Sequence, residues 1–202
     1  MEKIEFNRDY FEAEGKVNGL SDYYNKQKKD CKIVADRIEM FLSCDKSKTI
    51  LEGGCAYGQS ISELKARGYA GYGFDISEYA IKEGKSRLNN PDLMAGDIQG
   101  RDFVSRIVDT FKKPYFDFVF SCITLEHIMP FSVERVISNL HRLTAPGGMN
   151  YHAIDLERGN DDTHYCILTR GKWNQLFAAG GFVPVDVPPE MVKLNWFLFK
   201  KT

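Results

Sequence analysis

The sequence predicts an α/β fold in which helices cover both faces of a doubly wound, mostly parallel sheet. Short apolar segments typical of buried strands alternate with amphipathic segments typical of helices, which gives about seven strands and five or six helices. Such alternation favours parallel strands joined by crossover helices. The last two apolar segments have no helix between them, so they can pair only as antiparallel strands.

The N-terminal half begins with polar and aromatic residues that show no strong element before Asp30. From Asp30 onward, apolar residues spaced three and four apart lie on one helical face. A buried strand at 49–51 leads into a glycine-rich turn, and Ser77 is a typical N-cap for a helix at Glu78–Leu88. The other elements predicted in this half are a helix at 60–67 and strands at 71–76 and Leu93–Ala95.

The C-terminal half continues the alternation. Apolar residues at helical spacing predict a helix that includes Phe103 and Phe111, and a strand follows at Phe116–Cys122. A helix at Val133–Leu143 ends before the turn at 145–148, because proline and glycine both interrupt helices. The remaining predictions are a strand at 149–154, a helix at 172–179, and final strands at 182–187 and 192–199, separated by Pro188 and Pro189.

Length and charge are typical of a single globular domain. The chain has 202 residues, which predicts one domain over 1–202, with an N-terminal segment at 1–29 and a core at 30–202. An aromatic content of 13% excludes disorder as the main state. The 27 basic and 28 acidic residues leave a net charge of −1, whereas a strongly electrostatic nucleic-acid binder needs a basic surplus. We therefore expect no nucleic-acid partner.

The sequence gives no indication of a membrane or of an oxidising compartment. No apolar run approaches the roughly 18 residues of a membrane-spanning helix, and the charged N-terminus lacks the apolar segment of a signal peptide. The five cysteines are odd in number and never form a CxxC pair, which fits reduced thiols better than disulfides or a zinc site. A cytoplasmic protein with no membrane partner is expected.

The residues that follow the predicted strands carry the functional signal, because ligands of open α/β sheets bind beyond the carboxyl ends of the strands. The glycine-rich segment 52–58 opens a helix, whose N-terminal N–H groups favour an anionic ligand group. Asp75 ends the second strand 21 residues after Gly54, a spacing that suits hydrogen bonds to both hydroxyls of a ribose. Asp97 and Ile98 follow the third strand. The carboxylate of Asp97 suits a hydrogen bond from an exocyclic amine, and the side chain of Ile98 suits packing on the face of a purine.

The glycine-rich segment alone leaves several interpretations open. Glycines can serve only as a tight turn. Dinucleotide oxidoreductases prefer the spacing GxGxxG, whereas here the pattern is Gly54-x-Ala56-x-Gly58 with Glu52 two residues ahead. The combination of this loop with the acids after the second and third strands favours a bound cofactor over a purely structural turn.

Five segments resemble class I S-adenosylmethionine-dependent methyltransferases of the small-molecule branch. They lie at 50–58, 72–77, 117–128, 143–148 and 173–182, so the resemblance extends over about 49–199. It implies a Rossmann-like sheet of seven strands whose last strand inserts antiparallel, in agreement with the predicted final pair. The cofactor that it implies is S-adenosyl-L-methionine.

The resemblance also assigns roles to the matching positions. Glu52 is implied to hold the methionine amino group, and Asp75 the ribose hydroxyls. Asp97 and Ile98 are implied to bind the adenine, and Ser121 to lie beneath the methionine portion. Together with neighbouring positions, the implied cofactor-binding residues are Glu52, Gly53, Gly54, Cys55, Ala56, Gly58, Asp75, Ile76, Asp97, Ile98, Ser121 and Tyr24.

Two positions depart from the common pattern of this family. Glu52 stands in place of the usual aspartate and Ala56 in place of the middle glycine, which requires a negative φ or slight strain at Ala56. Aromatic residues of the N-terminal segment are expected either to pack on the sheet or to form a lid over the cofactor, with Tyr23 or Tyr24 touching it.

Histidines and acids near the predicted strand ends are candidate general bases. A sulfonium methyl group is already activated, so alignment of the acceptor is the main task, and a hydroxyl acceptor also needs a base. His127, His164 and Asp155 are the candidates for catalysis, although either histidine could instead be structural. A metal site of Glu126, His127 and His164 is conceivable, because related quinone-pathway methyltransferases carry an acid-rich version of the segment after the fourth strand. No metal is expected, because 123–124 lacks the extra upstream acid of those enzymes.

The expected acceptor is a small molecule, and its class depends on a further resemblance. Segment 71–80 resembles bacterial methyltransferases associated with surface-sugar biosynthesis, which implies a hydroxyl oxygen of a sugar, sugar phosphate or glycan precursor. A nicotinamide-dependent oxidoreductase and a non-catalytic cofactor-binding module stay open as alternatives. Nucleic-acid methylation is the weaker option, because the Asn/Asp-Pro-Pro motif of amino-group methylases is absent from 121–124. The oligomeric state is left open.

Overall fold

Seven strands form one mixed sheet in the described part of the chain, residues 6–12, 23–157 and 161–202 of the computed structural model. The strands are β1 (Thr49–Gly53), β2 (Ala70–Asp75), β3 (Leu93–Ala95), β4 (Phe116–Cys122), β5 (Thr144–Ala153), β6 (Phe182–Val185) and β7 (Trp196–Lys201). Their order in the sheet is β3-β2-β1-β4-β5-β7-β6. β2 is parallel to β1 and β3, β4 is parallel to β5, and β7 runs antiparallel to β5 and β6. The predicted Rossmann-like α/β fold is confirmed.

Helices connect the strands largely as the sequence predicts. Among the described residues they are α1 (Arg8–Glu12), α2 (Tyr23–Phe41), α3 (Gln59–Ala66), α4 (Glu78–Leu88), α5 (Phe103–Phe111), α6 (Val133–Leu143), α7 (Arg170–Ala179) and α8 (Pro189–Lys193). Two 3-10 turns, Leu125–His127 and Pro130–Ser132, precede α6. The predicted cap of α4 is confirmed, because Oγ of Ser77 accepts the N–H of Ala80 at 3.1 Å. None of the described helices is long and apolar enough to cross a membrane.

The described chain divides into two compact units. The first unit comprises the described residues up to Gly96 together with 161–163, and it contains β1–β3 and α1–α4. In this unit, β1 is buried along nearly its whole length. The second unit comprises 97–157 and 164–202, and in it Phe177 of α7 stacks on Phe199 of β7 with ring centroids 4.0 Å apart. A single domain over 1–202 stays a prediction.

The N-terminal helices differ from the sequence prediction. α2 begins at Tyr23 rather than at Asp30, and α1 is absent from the prediction. Residues 23–29 carry no apolar periodicity, but lysine and glutamine have high helix propensity, so the helix extends through them. Of the expected N-terminal segment 1–29, residues 1–5 and 13–22 lie outside the described residues.

The last predicted strand, 192–199, is wrong in its first half. Val192 lies in α8, and β7 begins only at Trp196. Pro189 starts the helix, because proline lacks an N–H and its fixed φ suits the first helical turn. A short helix therefore separates the two final strands, although their antiparallel pairing is confirmed.

The start of β5 also differs from the prediction. The strand begins at Thr144 and includes the turn residues that were expected to precede it at 145–148. Its pairing with β4 shifts register between Phe116 and Phe118, so the extra residues form an irregularity at the start of the ladder. From Met149 to Ala153, β5 pairs with β4 in regular register.

Candidate active site

The glycine-rich loop after β1 is built from left-handed backbone conformations. Gly54, Ala56 and Gly58 have φ angles of 66°, 47° and 75°. Glycine adopts this region at little cost, whereas Ala56 holds strain there, which is one of the two outcomes that the sequence allows. The N–H of Ala56 donates to Oδ2 of Asp75 at 2.8 Å, and this bond holds the strained residue in place.

Asp75, at the end of β2, connects two loops through its buried carboxylate. In addition to the N–H of Ala56, the carboxylate accepts the N–H of Ser77 on Oδ1, also at 2.8 Å. Burial raises the pKa of Asp75, and the two N–H donors act against this rise. A carboxylate has about four lone-pair sites, so two of them suit the ribose hydroxyls that the family pattern assigns to this position.

Glu52 is a second buried acid in the same unit, on β1. Burial raises its pKa well above the ordinary value, the charge of Asp75 acts in the same direction, and a hydrogen bond from Ser60 opposes it. Oε2 of Glu52 is buried and has no hydrogen-bond partner among the described residues. An ammonium group would satisfy this oxygen and neutralise the buried charge, so the residue fits the methionine amino group of the implied cofactor.

We expect Glu52→Gln to stabilise the protein at pH 8 and to change its stability much less at pH 4. The folded-state pKa of Glu52 lies above the unfolded value of 4.5, so this carboxyl favours the folded state at low pH. Its contribution is lost as the pH rises through the folded-state pKa. Glutamine is neutral at both pH values, so the variant does not lose this contribution to stability as the pH rises. Urea unfolding of wild type and variant at both pH values measures the effect.

The matched control for this prediction is Glu63→Gln. Glu63 pairs with Arg67 near the surface and is not part of the loop. Surface ion pairs contribute about 0–1 kcal/mol, so this variant should show no gain in stability at pH 8. An equal effect of Glu52→Gln at both pH values would contradict the raised pKa of this buried acid.

Aromatic side chains of α1 and α2 pack on Tyr57 of the glycine-rich loop. The rings of Phe11 and Tyr24 meet the ring of Tyr57 edge to face, with centroids 5.5 and 5.2 Å away. The guanidinium of Arg87 lies 5.1 Å from the Tyr24 ring, within the range of a cation–π interaction. Packing of the N-terminal aromatics is therefore observed, whereas contact of Tyr24 with the cofactor stays a prediction.

Three further residues of the implied cofactor site, Ile76 and the adenine residues Asp97 and Ile98, are partly exposed or anchored by neighbours. Ile76, in the first unit, is 37% exposed. In the second unit, Oδ1 of Asp97 accepts the main-chain N–H of Gln99 at 2.9 Å. Ile98 is buried, and its carbonyl accepts the side-chain amide of Asn139 at 2.8 Å. The segment after β3 is thus fixed by hydrogen bonds from its own turn and from α6.

Ser121 and His152 form a hydrogen-bonded pair inside the second unit. They are register partners on β4 and β5, and Oγ of Ser121 lies 2.8 Å from Nδ1 of His152. His152 has no exposed surface, and burial lowers its pKa to about 3, so its ring is neutral at physiological pH. The ring therefore fixes the orientation of the Ser121 hydroxyl.

The histidines assigned to catalysis lie together in the second unit. The rings of His127 and His164 meet edge to face with centroids 4.8 Å apart. Beside them, the N–H of Asp155 donates to Oε1 of Glu126 at 3.2 Å, and the N–H of Cys166 donates to the carbonyl of Glu126 at 2.8 Å. These bonds hold the 3-10 turn after β4 against the segments that follow β5.

Two features of this unit escape sequence reasoning. Glu126 is fully buried, although acidic residues are almost never fully buried without a partner. Its one sequence signal is its place beside His127 after a predicted strand, where functional residues gather. The contact between Ser121 and His152 depends on the register of β4 against β5, and no local pattern in the sequence supplies that register.

A glycine-rich loop with acids on β1 and β2, in a sheet of this order, defines the class I methyltransferase arrangement. Residues 51–151, half of the chain, match the family described as methyltransferase domain, and the chain belongs to this family. Its cofactor is S-adenosylmethionine, so the nicotinamide alternative is not favoured. No curated protein sequence matches the chain.

Several solved structures share the fold at low sequence identity. A Micromonospora echinaspora amino pentose methyltransferase with bound S-adenosylmethionine has a TM-score of 0.66 and 17% identity, over 87% of this chain and 91% of that chain. Magnesium protoporphyrin IX methyltransferase from Synechocystis, with bound S-adenosylhomocysteine, has a TM-score of 0.65 and 17% identity, over 96% and 98%. The N1-methyltransferase of 1,6-didemethyltoxoflavin from Burkholderia thailandensis has a TM-score of 0.64 and 17% identity, over 88% and 80%.

Proposed function

We propose that this protein transfers the methyl group of S-adenosylmethionine to a hydroxyl oxygen of a small molecule, preferably a sugar, a sugar phosphate or a glycan precursor. The observation that carries the proposal is the pair of His127 and His164, with centroids 4.8 Å apart, in a chain of the methyltransferase family. A methyltransferase of an amino pentose among the similar structures supports the carbohydrate class. Acceptors in the others are a porphyrin and a toxoflavin precursor, so both classes belong in the test.

Three acidic residues, Glu52, Asp75 and Asp97, are proposed to bind different parts of the cofactor. The Glu52 carboxylate binds the methionine ammonium, because this buried oxygen has no partner among the described residues. The Asp75 carboxylate accepts the ribose hydroxyls while it holds the loop through two N–H bonds. Asp97 accepts the adenine amine, and Ile76 and Ile98 pack on the adenine. When bound, the cofactor supplies a methyl group on a positively charged sulfur.

The acceptor side consists of His127, His164 and Asp155. These groups orient the acceptor hydroxyl and promote the loss of its proton as the oxygen attacks, a contribution typically worth about 10²–10⁴ in rate. His127 is half-buried and His164 is buried, so His127 is the more accessible of the two. Ser121, fixed by His152, orients the methionine portion.

We also propose that the protein works in the cytoplasm on a small-molecule acceptor, with no nucleic acid or membrane as partner. All five cysteines lie in the described residues, and none is in a disulfide. Reduced thiols of this kind are typical of cytosolic proteins.

Incubation with methyl-labelled S-adenosylmethionine and a panel of sugars, sugar phosphates, a porphyrin and a pteridine-like heterocycle tests the proposed function. We expect label in a carbohydrate, and we expect His127→Ala and His164→Ala to lower kcat at least about 100-fold. Calorimetric affinity for S-adenosylhomocysteine should stay unchanged in both variants. His141→Ala, on α6, is the control and should retain full activity. Label found only in the porphyrin or the heterocycle, or only in protein, RNA or a quinone added to the same panel, would overturn the carbohydrate proposal.

A further inference from the structure

Three side chains with metal-binding atoms converge in the second unit. Glu126 and His127 lie in the 3-10 turn after β4, and His164 lies in the segment between β5 and α7. One ligand atom from each residue can be chosen so that all three atoms lie within 4.8 Å of one another. The set therefore combines two neighbours in sequence with a residue 37 positions further along the chain.

The donor types are those of a zinc-like site with an open position. Two imidazole nitrogens and one carboxylate oxygen form the three-ligand set of several catalytic zinc centres, in which the fourth position holds water or substrate. Ligand bonds of about 2.0–2.2 Å place the donors of a tetrahedral site about 3.3 Å apart. The spacings between the chosen atoms, at most 4.8 Å, exceed that value by no more than about 1.5 Å, which is within the reach of side-chain rotation.

The surroundings hold these side chains in position. The carboxylate of Glu126 accepts the N–H of Asp155 on Oε1, and the carbonyl of Glu126 accepts the N–H of Cys166. Such bonds to a ligating residue fix its orientation, and they are typical of metal sites. Glu126 and His164 are buried, whereas His127 is half-buried, so the cluster is reached from one side.

We infer that Glu126, His127 and His164 bind one divalent transition-metal ion of zinc-like chemistry, with one coordination position left open. The sequence gives no expectation of a metal, because an upstream acid is missing at 123–124. In the folded chain, His164 supplies the third ligand atom beside Glu126 and His127.

The open coordination position of the metal ion would bind the oxygen of the acceptor hydroxyl. This role rests on the proposed function. A metal ion lowers the pKa of a bound hydroxyl, so the O–H proton passes to water at neutral pH. The oxygen then bonds to the methyl carbon as the carbon–sulfur bond breaks, with its electron pair left on sulfur. In this form, the two histidines act as ligands rather than as direct proton acceptors.

The binding test uses untagged, chelator-stripped protein, because a histidine tag would itself bind zinc. Zn²⁺ is titrated in competition with a chromophoric chelator. We expect one equivalent to bind to wild type, and affinity to fall about 10-fold or more in His127→Gln, His164→Gln and Glu126→Gln. The glutamine at 126 can still accept the N–H of Asp155, so that variant should fold. His141→Gln and Glu134→Gln, both on α6, are matched controls and should bind like wild type.

Cobalt substitution reports the ligands directly. We expect visible absorption typical of a four-coordinate Co²⁺ site with nitrogen and oxygen ligands, and its loss in His164→Gln. Near-ultraviolet sulfur-to-cobalt absorption that disappears in Cys44→Ser would overturn the assignment, because it would place the metal on a thiol. Binding of less than one equivalent to wild type, or equal binding by all variants, would overturn it as well.

Affinity for S-adenosylhomocysteine, measured on the same stripped protein, separates this inference from the proposed function. If the protein binds S-adenosylhomocysteine but no metal ion, the metal site is refuted and the proposed function is not. If the protein binds the metal ion but not S-adenosylhomocysteine, the proposed methyltransferase function is refuted and the metal site is supported. Activity that survives full chelation assigns the histidines to direct proton transfer and contradicts the metal role.

Discussion

We expect Asp75→Ala to weaken S-adenosylhomocysteine binding by at least about 100-fold. The variant loses the carboxylate that we propose to accept two ribose hydroxyls, and each hydrogen bond to a charged group contributes about 1.5–3 kcal/mol. It also leaves the N–H groups of Ala56 and Ser77 without their acceptor, at about 1–3 kcal/mol each in stability. Calorimetric titration measures the affinity, and urea unfolding measures the loss of stability.

The loop contribution and the ribose contribution can be separated with a cofactor analogue that lacks the 2′ and 3′ hydroxyls. If Asp75 binds the ribose directly, the analogue should bind weakly to wild type, and Asp75→Ala should weaken it little further. Equal losses for the natural ligand and the analogue would assign Asp75 only to holding the loop. Asp92→Ala is the control, because Asp92 pairs with Lys65 near the surface and its removal should leave both affinities unchanged.

Short-range sequence patterns predict the bounds of an element correctly where capping residues, apolar periodicity and expected burial all indicate the same structure. α4 has the predicted bounds, because Ser77 caps it and glutamate opens its first turn. β4 has them because a run of aromatic and β-branched residues indicates a buried strand. Sequence reasoning fails at α2 and α8, where polar helix formers and a proline pair give signals typical of loops. There the helix propensity of lysine and glutamine and the fixed φ of Pro189 outweigh the missing apolar periodicity.

The candidate site was predictable in its cofactor half and less so in its acceptor half. Glycines and acids directly after parallel strands are local in sequence, so Asp75 and Ala56 are found together by spacing alone. The sequence offers Glu126, His127 and His164 only as a conceivable cluster, because they come from segments on two sides of β5, and the folded chain shows that they lie together. Burial of a charged residue such as Glu126 contradicts the usual rule, so no residue scale predicts it.

Gly84 illustrates how a residue far from the motif can determine the shape of the loop. It lies on α4, and a β-carbon at this position would lie 2.2 Å from the carbonyl oxygen of Tyr57 and 2.8 Å from its carbonyl carbon. Both contacts are with backbone, which cannot rotate away. The loop around Tyr57 is itself held, because the N–H of Gly58 donates to the carbonyl of Cys55 at 2.7 Å. Any side chain at Gly84 must therefore displace the helix or the loop.

We expect Gly84→Ala to destabilise the protein by roughly 1–3 kcal/mol or more and to weaken cofactor binding, because overpacking forces backbone shifts. The effect opposes the gain of about 1 kcal/mol that alanine usually brings to a helix. Gly171→Ala, on α7, is the matched control: its β-carbon would meet nothing within 4 Å, so it should stabilise the protein by up to about 1 kcal/mol. Urea unfolding of both variants measures the contrast. A gain in both would mean that α4 moves away from Tyr57 at no cost, whereas opposite signs would mean that close contact with α4 holds the loop around Tyr57 in its shape. Calorimetric titration with S-adenosylhomocysteine then measures whether cofactor binding depends on that shape.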